Sequence, residues 1–367
     1  MAGRNRPLNQ SERARLDPFQ ALGEAVPPRD QRDLMERPFF SLAKAKRIEP
    51  ILYKSGGTEV EVHAVPEHGL ATIWDADVLI WAASQLLAAQ DRGLQISRFI
   101  RFTPYQLLTA IGRGTGARNY RLLKGGLARL QSTVVRTTIR NSQHWRRQQF
   151  SWLNEWEELQ TRSGRIEGMQ FILPDWFYQG VLDRRLVLAI DPGYFRLTGG
   201  IERWLYRVAR KHAGRQPNGW RFELRHLHIK SGCQIRFSDF ALHIRGIVQR
   251  QSLPDYILEL EPRDGADTIL LMRPRTIDLQ PRPVDNSLTT RRSIGTSDAR
   301  AIGTSTVVQS VLRTHGFQAS LWPEDEIQGR KDSKPESKLI VGAPEPVDKA
   351  TRRPTRSGFI AGRSGRP

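Results

Sequence analysis

One ordered pattern, met twice, constrains this chain more than anything else in it. From Asp191 to Pro274 the sequence runs through a Gly-Gly-led helix, a short segment at 224–230, a second helix over 238–252, and a hairpin turning at Arg263-Asp264-Gly265. A looser copy of the same order lies between Asp75 and Trp152. Helix, turn, helix and hairpin in that succession make a helix-turn-helix unit with a β-hairpin wing. The fold class expected is therefore α+β, with two winged-helix domains in tandem. Each such unit offers one helix with an outer face free to lie on a partner.

In the upstream copy, Asp75 stands as a cap before Val78, Leu79, Trp81, Ala82, Leu86 and Ala89, and Gly93 closes the helix. Ile96 to Phe102 alternates as a short strand. Thr103-Pro104 places a capping hydroxyl before a proline at the first helical position, and the helix it opens ends in the glycine-rich turn 112–116. The next helix, 117–132, points Tyr120, Leu123, Leu127 and Leu130 to one side at 100° per residue. Arg118, Arg121, Gly125, Arg129 and Ser132 lie opposite, with Lys124 beside them. Arginines on one helical face suit phosphate and guanine contacts, and the glycine allows close backbone approach. The β-branched stretches 133–139 and 147–152 are expected as the wing, with Arg136, Arg140 and Arg146 on it.

The downstream copy divides in the same way. Helix 199–212 turns Ile201, Trp204, Leu205 and Val208 inward and Arg203, Arg207 and Arg210 outward. Helix 238–252 buries Phe240, Ile244, Ile247 and Val248, while Ser238, Arg245, Gly246, Gln249 and Ser252 project and Arg250 flanks them. Arg263 sits at the tip of the second wing. The expected DNA-binding set is thus Arg118, Arg121, Lys124, Arg129, Arg207, Arg210, Ser238, Arg245, Gln249, Arg250, Ser252 and Arg263. An ordinary solvated basic face is the competing account for either helix alone.

Charge supports a polyanionic partner. With 57 Lys and Arg against 38 Asp and Glu the formal net charge is +19, and the pI is near 10.8. Most of the excess falls within 38–275 rather than in the ends. No apolar run approaches the roughly 18 to 20 residues of a membrane span, and no secretory signal pattern opens the chain. The single Cys233 forms no internal disulfide, and a reducing, cytoplasmic home is expected. Residues 1–37 read as a flexible arm, 38–190 and 191–275 as the two domains, and 276–367 as a disordered basic tail. Within the tail, 307–327 carries an apolar island of the kind that docks on partners.

Several strings resemble the plasmid replication initiator protein A family. They include Arg37-Pro38-Phe39-Phe40, Ile80-Trp81, Ile100-Arg101-Phe102-Thr103, Arg121-Leu122-Leu123, Leu127 to Thr133 and Leu173-Pro174-Asp175-Trp176. The most specific is Leu197-Thr198-Gly199-Gly200-Ile201-Glu202-Arg203-Trp204-Leu205-Tyr206-Arg207, followed by Arg210-Lys211-His212. The resemblance implies a cytoplasmic plasmid initiator that binds repeated double-stranded origin sites, opens nearby DNA and recruits the host replisome. It further implies a first domain that mediates homodimerisation and a second that makes the principal base contacts. In that light Gln318-Ala319-Ser320-Leu321-Trp322 looks like the pentapeptide by which bacterial replication proteins bind the sliding clamp. Gln318 would orient it while Leu321 and Trp322 fill an apolar pocket; helicase machinery is the other host partner implied.

Two alternatives stay open. A transcriptional repressor of the same fold shares every feature of the domains. A nickase of the His-hydrophobic-His type would use His226-Leu227-His228 to hold a metal and Tyr256 to attack the phosphodiester. That set is poor in carboxylates, and no Gly-x-x-x-x-Gly-Lys-Ser/Thr loop is present for a nucleotide-driven motor. A non-enzymatic DNA-binding role, with no cofactor and no metal, is the expectation.

Overall fold

The computed structural model describes residues 16–140, 148–162, 166–214, 216–262 and 268–275. The tail 276–367, the docking segment with Gln318, Leu321 and Trp322, and the turn residues Arg146 and Arg263 lie outside the described residues.

The chain is mixed α+β. It opens with strands β1 (Phe19–Gln20) and β2 (Arg29–Gln31) and the one-turn helix α1 (Arg32–Met35). A hairpin of β3 (Ile51–Ser55) and β4 (Thr58–His63) turns through Gly56 and Gly57, whose positive φ angles of 52° and 75° suit glycine. Then come α2 (Ala76–Asp91), β5 (Phe99–Phe102), α3 (Pro104–Ala110), α4 (Ala117–Ser132), β6 (Val134–Thr137) and β7 (Gln148–Ser151). They are followed by β8 (Glu155–Gln160), β9 (Ile166–Ile172), α5 (Asp175–Leu182) and β10 (Val187–Ala189). The last six elements are α6 (Gly200–His212), β11 (Trp220–Glu223), α7 (Leu224–Ser231), α8 (Phe237–Arg250), β12 (Tyr256–Glu261) and β13 (Ile269–Pro274).

Helix α2 is apolar on nearly every side and buries 13 of its 16 residues, which makes it the axis of the upstream half. Helix α3 starts where the sequence indicates: Thr103 Oγ1 accepts from Gln106 N, and the Gln106 side chain returns to Thr103 N. Downstream, the order α6-β11-α7-α8-β12-β13 closes a three-stranded sheet, β11-β13-β12, in which the strand before the helix pair joins the last strand of the hairpin. The upstream half repeats this connectivity: β5, which precedes α3 and α4, pairs with β9 in the sheet β1-β5-β9-β8.

The upstream hairpin is not the one the sequence suggests. β6 and β7 do pair, but they complete a separate sheet, β3-β4-β6-β7. The true counterpart of β12-β13 is β8-β9. Local patterning places strands but not their partners, and β5 finds its antiparallel partner only beyond β7.

The N-terminal segment is a second correction. Residues 16–37, expected as part of a flexible arm, are folded: β1 runs parallel to β5, β2 pairs antiparallel with β10, and Leu34 and Met35 are fully buried. Composition misleads here because the polar letters Asp30, Gln31 and Glu36 are themselves buried, each beside a partner from elsewhere.

Those partners sit mostly on α6. Arg203, Arg207 and Lys211, spaced four apart, share one face, and each meets an acid from another part of the chain. Arg203 Nη1 lies 2.7 Å from Asp77 of α2, which Arg113 also reaches at 2.8 Å. Arg207 forks onto both oxygens of Asp30 at 2.7 and 3.1 Å. Lys211 Nζ is 2.5 Å from Glu36, with His212 Nε2 at 2.6 Å and Lys230 Nζ at 3.1 Å. Arg203 and Arg207 therefore face inward, not outward: a second layer covers what a wheel of the isolated helix shows as its polar side.

Burial works to raise the Glu36 carboxyl, but the His212 hydrogen bond and the charges of Lys211, His212 and Lys230 hold it far below its ordinary 4.5. Burial lowers His212 from 6.5, against the pull of Glu36. As pH falls through 6.5 the unfolded chain takes up a proton at His212 that the folded chain resists; below 4.5 unfolded Glu36 does the same. Urea unfolding between about pH 2.5 and 7.5 is therefore expected to show stability falling in two stages on acidification, the lower stage reduced in Glu36→Gln.

Gly200 explains the glycine pair at the head of α6. A Cβ there would lie 1.9 Å from the Leu42 carbonyl oxygen and 3.0 Å from the Trp74 ring, so the helix enters at backbone contact. Gly200→Ala is expected to destabilise by about 1–3 kcal/mol through overpacking, read as a lowered thermal midpoint.

Candidate nucleic-acid interface

Two helices present outer faces that suit DNA, and they differ in how much of the face is free. On α4, Leu123, Leu127 and Leu130 are buried and hold the helix so that Arg118 and Arg121 are exposed. Lys124 reaches Glu158 of β8 at 3.5 Å while keeping a 39% exposed side chain. Arg129 is a correction: its Nε and Nη2 grip the two oxygens of buried Asp75, each at 2.8 Å. The same carboxylate accepts from Thr72 N and Oγ1 at 2.8 and 2.9 Å, so Asp75 organises the α2–α4 junction and makes no side-chain cap. That hydrogen bond holds the Arg129 guanidinium above its ordinary range. Arg129 is thus a structural tie, unsuited to reading a base.

On α8, Phe240, Ile244 and Ile247 point inward with no more than 3% exposure. Ser238, Arg245 and Gln249 are exposed on the opposite side. Among the described residues no carboxylate pairs with Arg245, nor with Arg118 or Arg121 on α4. Arg250 is 63% exposed, its Nη2 3.8 Å from Glu202. Ser252 departs from expectation: its hydroxyl donates to the Glu202 carboxylate, the group that also accepts from Gly199 N at the head of α6. Arg207 is buried on Asp30, and half-buried Arg210 donates from Nε to the Ala189 carbonyl at 2.6 Å; neither belongs to an α8 surface. On the β6-β7 hairpin, Arg136 is exposed beside Gln149. Arg140 instead pairs with Asp33 at 2.6 Å and lies over the Trp176 ring, so it anchors the hairpin to α1 and α5.

Sequence reasoning passed over two exposed apolar residues on these same helices, Leu122 (54%) and Leu242 (67%). Their signal was available: each is a leucine out of phase with the core face of its helix. An apolar side chain among arginines on a DNA-facing helix can meet a thymine methyl group.

The histidine pair has other occupations. Its segment, ambiguous between strand and helix on its residues, is helical, and His226 stacks on Phe222 with interplanar angle 5° and centroids 5.9 Å apart. His228 Nε2 lies 2.8 Å from the Ile235 carbonyl. Tyr256 is 2% exposed, and burial raises its hydroxyl above the ordinary range. Among the described residues no group of three or more His, Cys, Asp or Glu stands placed to hold a metal ion. No described helix is long and apolar enough to cross a membrane.

The family profile described as Replication initiator protein A matches residues 29–258, beginning at β2, inside the segment whose composition suggested disorder. A protein of Wigglesworthia glossinidia brevipalpis, whose name assigns it provisionally to replication, is 30% identical over 226 residues, 60% of this chain and 81% of that one. Among solved structures, domains 2 and 3 of RctB in selenomethionine form align with a TM-score of 0.49 at 12% identity, over 65% of this chain and 96% of that one. A second crystal structure of RctB domains 2 and 3 gives 0.44 at 11%, over 64% and 94%. On the extent of the profile match, the chain belongs to the replication initiator protein A family.

Proposed function

We propose that the chain initiates plasmid replication by binding repeated sites in double-stranded origin DNA through tandem winged-helix domains, promoting opening of adjacent DNA and recruiting host replication proteins. Family membership supports initiation. The observation that carries DNA reading is the outer face of α8, where Arg245, Gln249 and Ser238 stand exposed in one stripe. The connectivity shared by α6-β11-α7-α8-β12-β13 and by the upstream elements supports the winged-helix assignment.

The two domains divide the work. Residues 191–275 make the principal base contacts through α8. Residues 38–190 contribute backbone contacts through Arg118 and Arg121 and the contact between two copies in a homodimer; with Arg129 tied to Asp75, α4 has less left to read with. The protein acts as a cytoplasmic binder without catalysis of its own. Origin opening draws on binding energy and host enzymes.

Footprinting on the native replicon tests this reading. Protection of directly repeated sites beside an A·T-rich segment is the expected result; a lone inverted repeat over a promoter would mark a repressor instead. Supercoiled origin plasmid incubated with Mg²⁺ or Mn²⁺ is expected to stay unrelaxed, and relaxed product carrying bound protein would establish nicking. Arg118→Ala is expected to weaken binding to all sequences alike and to reduce the slope of log affinity against log salt by about 1.

A further inference from the structure

Beside the head of α6 lies a cavity of about 590 Å³ lined by three arginines, Arg196, Arg250 and Arg275. They come from three places: the turn before α6, the end of α8, and the residue after β13. Gly193 forms part of its wall, where a side chain would collide with Asp191 Oδ1 at 2.6 Å and crowd the Arg196 guanidinium at 3.1 Å and Pro254 at 3.3 Å. Glu202 is the one acid in the lining, and its carboxylate is already engaged by Gly199 N, by the Ser252 hydroxyl and, more distantly, by Arg250. Arg275 Nη2 reaches only the Tyr256 carbonyl, at 3.5 Å. No carboxylate pairs with Arg196 or Arg275 among the described residues.

Three guanidiniums and one already engaged carboxylate line the recess; behind that lining stand Asp191, whose Oδ1 accepts from Gly193 N, and Asp255, whose carbonyl accepts from Arg275 N. The volume is in the range of pockets that hold small molecules, and convergent arginines recognise phosphate through forked hydrogen bonds. We propose that this cavity binds a small phosphorylated ligand of nucleotide size, its phosphates between Arg196, Arg250 and Arg275. A duplex backbone is the other source of phosphate, but a duplex presents its phosphates on a convex surface, which suits the α8 face better than a recess. The site takes Arg250 from the end of α8 but none of Ser238, Arg245 and Gln249, on which the DNA reading rests.

The test uses the full chain with inorganic pyrophosphate and a nucleoside triphosphate as probes, by calorimetry, alongside Arg196→Gln and Arg275→Gln. Both positions are exposed, so each variant is expected to unfold at the temperature of the parent. The expected result is saturable binding of both probes, weakened roughly tenfold or more in each variant, with binding to origin DNA unchanged. Absence of probe binding at millimolar concentration overturns the proposal. So does a pattern in which the probes are ignored and both variants instead lose DNA affinity with a reduced salt slope, which would make the recess a backbone contact.

Discussion

Asp30→Ala is expected to destabilise the protein by about 3–5 kcal/mol, the loss that follows when one partner of a buried ion pair is removed and the other is left without its countercharge. Arg207 is 1% exposed and forks onto Asp30, itself 2% exposed. Burial works to lower the Arg207 guanidinium, yet Asp30 keeps its pKa raised, so with Asp30 gone a charged group remains in the core with only Asp77, already held by Arg203 and Arg113, acting on it. Asp30 belongs to β2, which pairs with β10, and the substitution therefore also loosens the N-terminal segment from α6. The double replacement Asp30→Leu with Arg207→Met discriminates the cause. Removing both charges and filling the space with apolar groups is expected to be neutral or to stabilise by about 1–4 kcal/mol. Urea unfolding of the two variants decides: a single variant within about 1 kcal/mol of the parent would mean that Arg207 reaches water.

The same pair shows where sequence reasoning stops. Helix 199–212 was legible as a helix, and so were 117–132 and 238–252, because each shows apolar spacing within its own residues; 224–230 was ambiguous between strand and helix on its residues, and only the order of elements favoured helix. Which cations face solvent was not legible. Arg207 and Arg245 look alike on a wheel; one meets Asp30 and the other meets no acid among the described residues, and only tertiary contact separates them. Arg129 failed in the same way, since Asp75 lies at the head of a different helix, α2. The folded character of residues 16–37 was hidden for a related reason: a segment of Asp, Gln, Glu and Arg has too little apolar content to suggest burial, and its polar groups are buried only because other elements bring their partners. The exposed face of α8 was the part of the candidate site best read in advance, with Ser238, Arg245 and Gln249 all where the period of the helix put them.

Arg245→Ala is expected to cost about 1–3 kcal/mol of affinity for the origin repeat, roughly 5- to 150-fold, while leaving affinity for random duplex nearly unchanged. Arg245 lies in the middle of α8, on the side opposite Phe240, Ile244 and Ile247, with Gln249 one turn beyond it and Leu242 nearly one turn before. A helix seated in a major groove brings such residues to base edges, and an arginine there pairs with both acceptors of a guanine. A phosphate contact would act on every sequence alike and would scale with salt. Electrophoretic or fluorescence titration on the cognate repeat and on random DNA, at two salt concentrations, separates the two. A base-reading Arg245 gives a variant with lower specificity, relaxed at one base-pair position and with its salt slope nearly intact. Equal loss on both DNAs, with a slope reduced by about 1, would reassign Arg245 to the backbone and leave Gln249 and Leu242 as the remaining readers on that face.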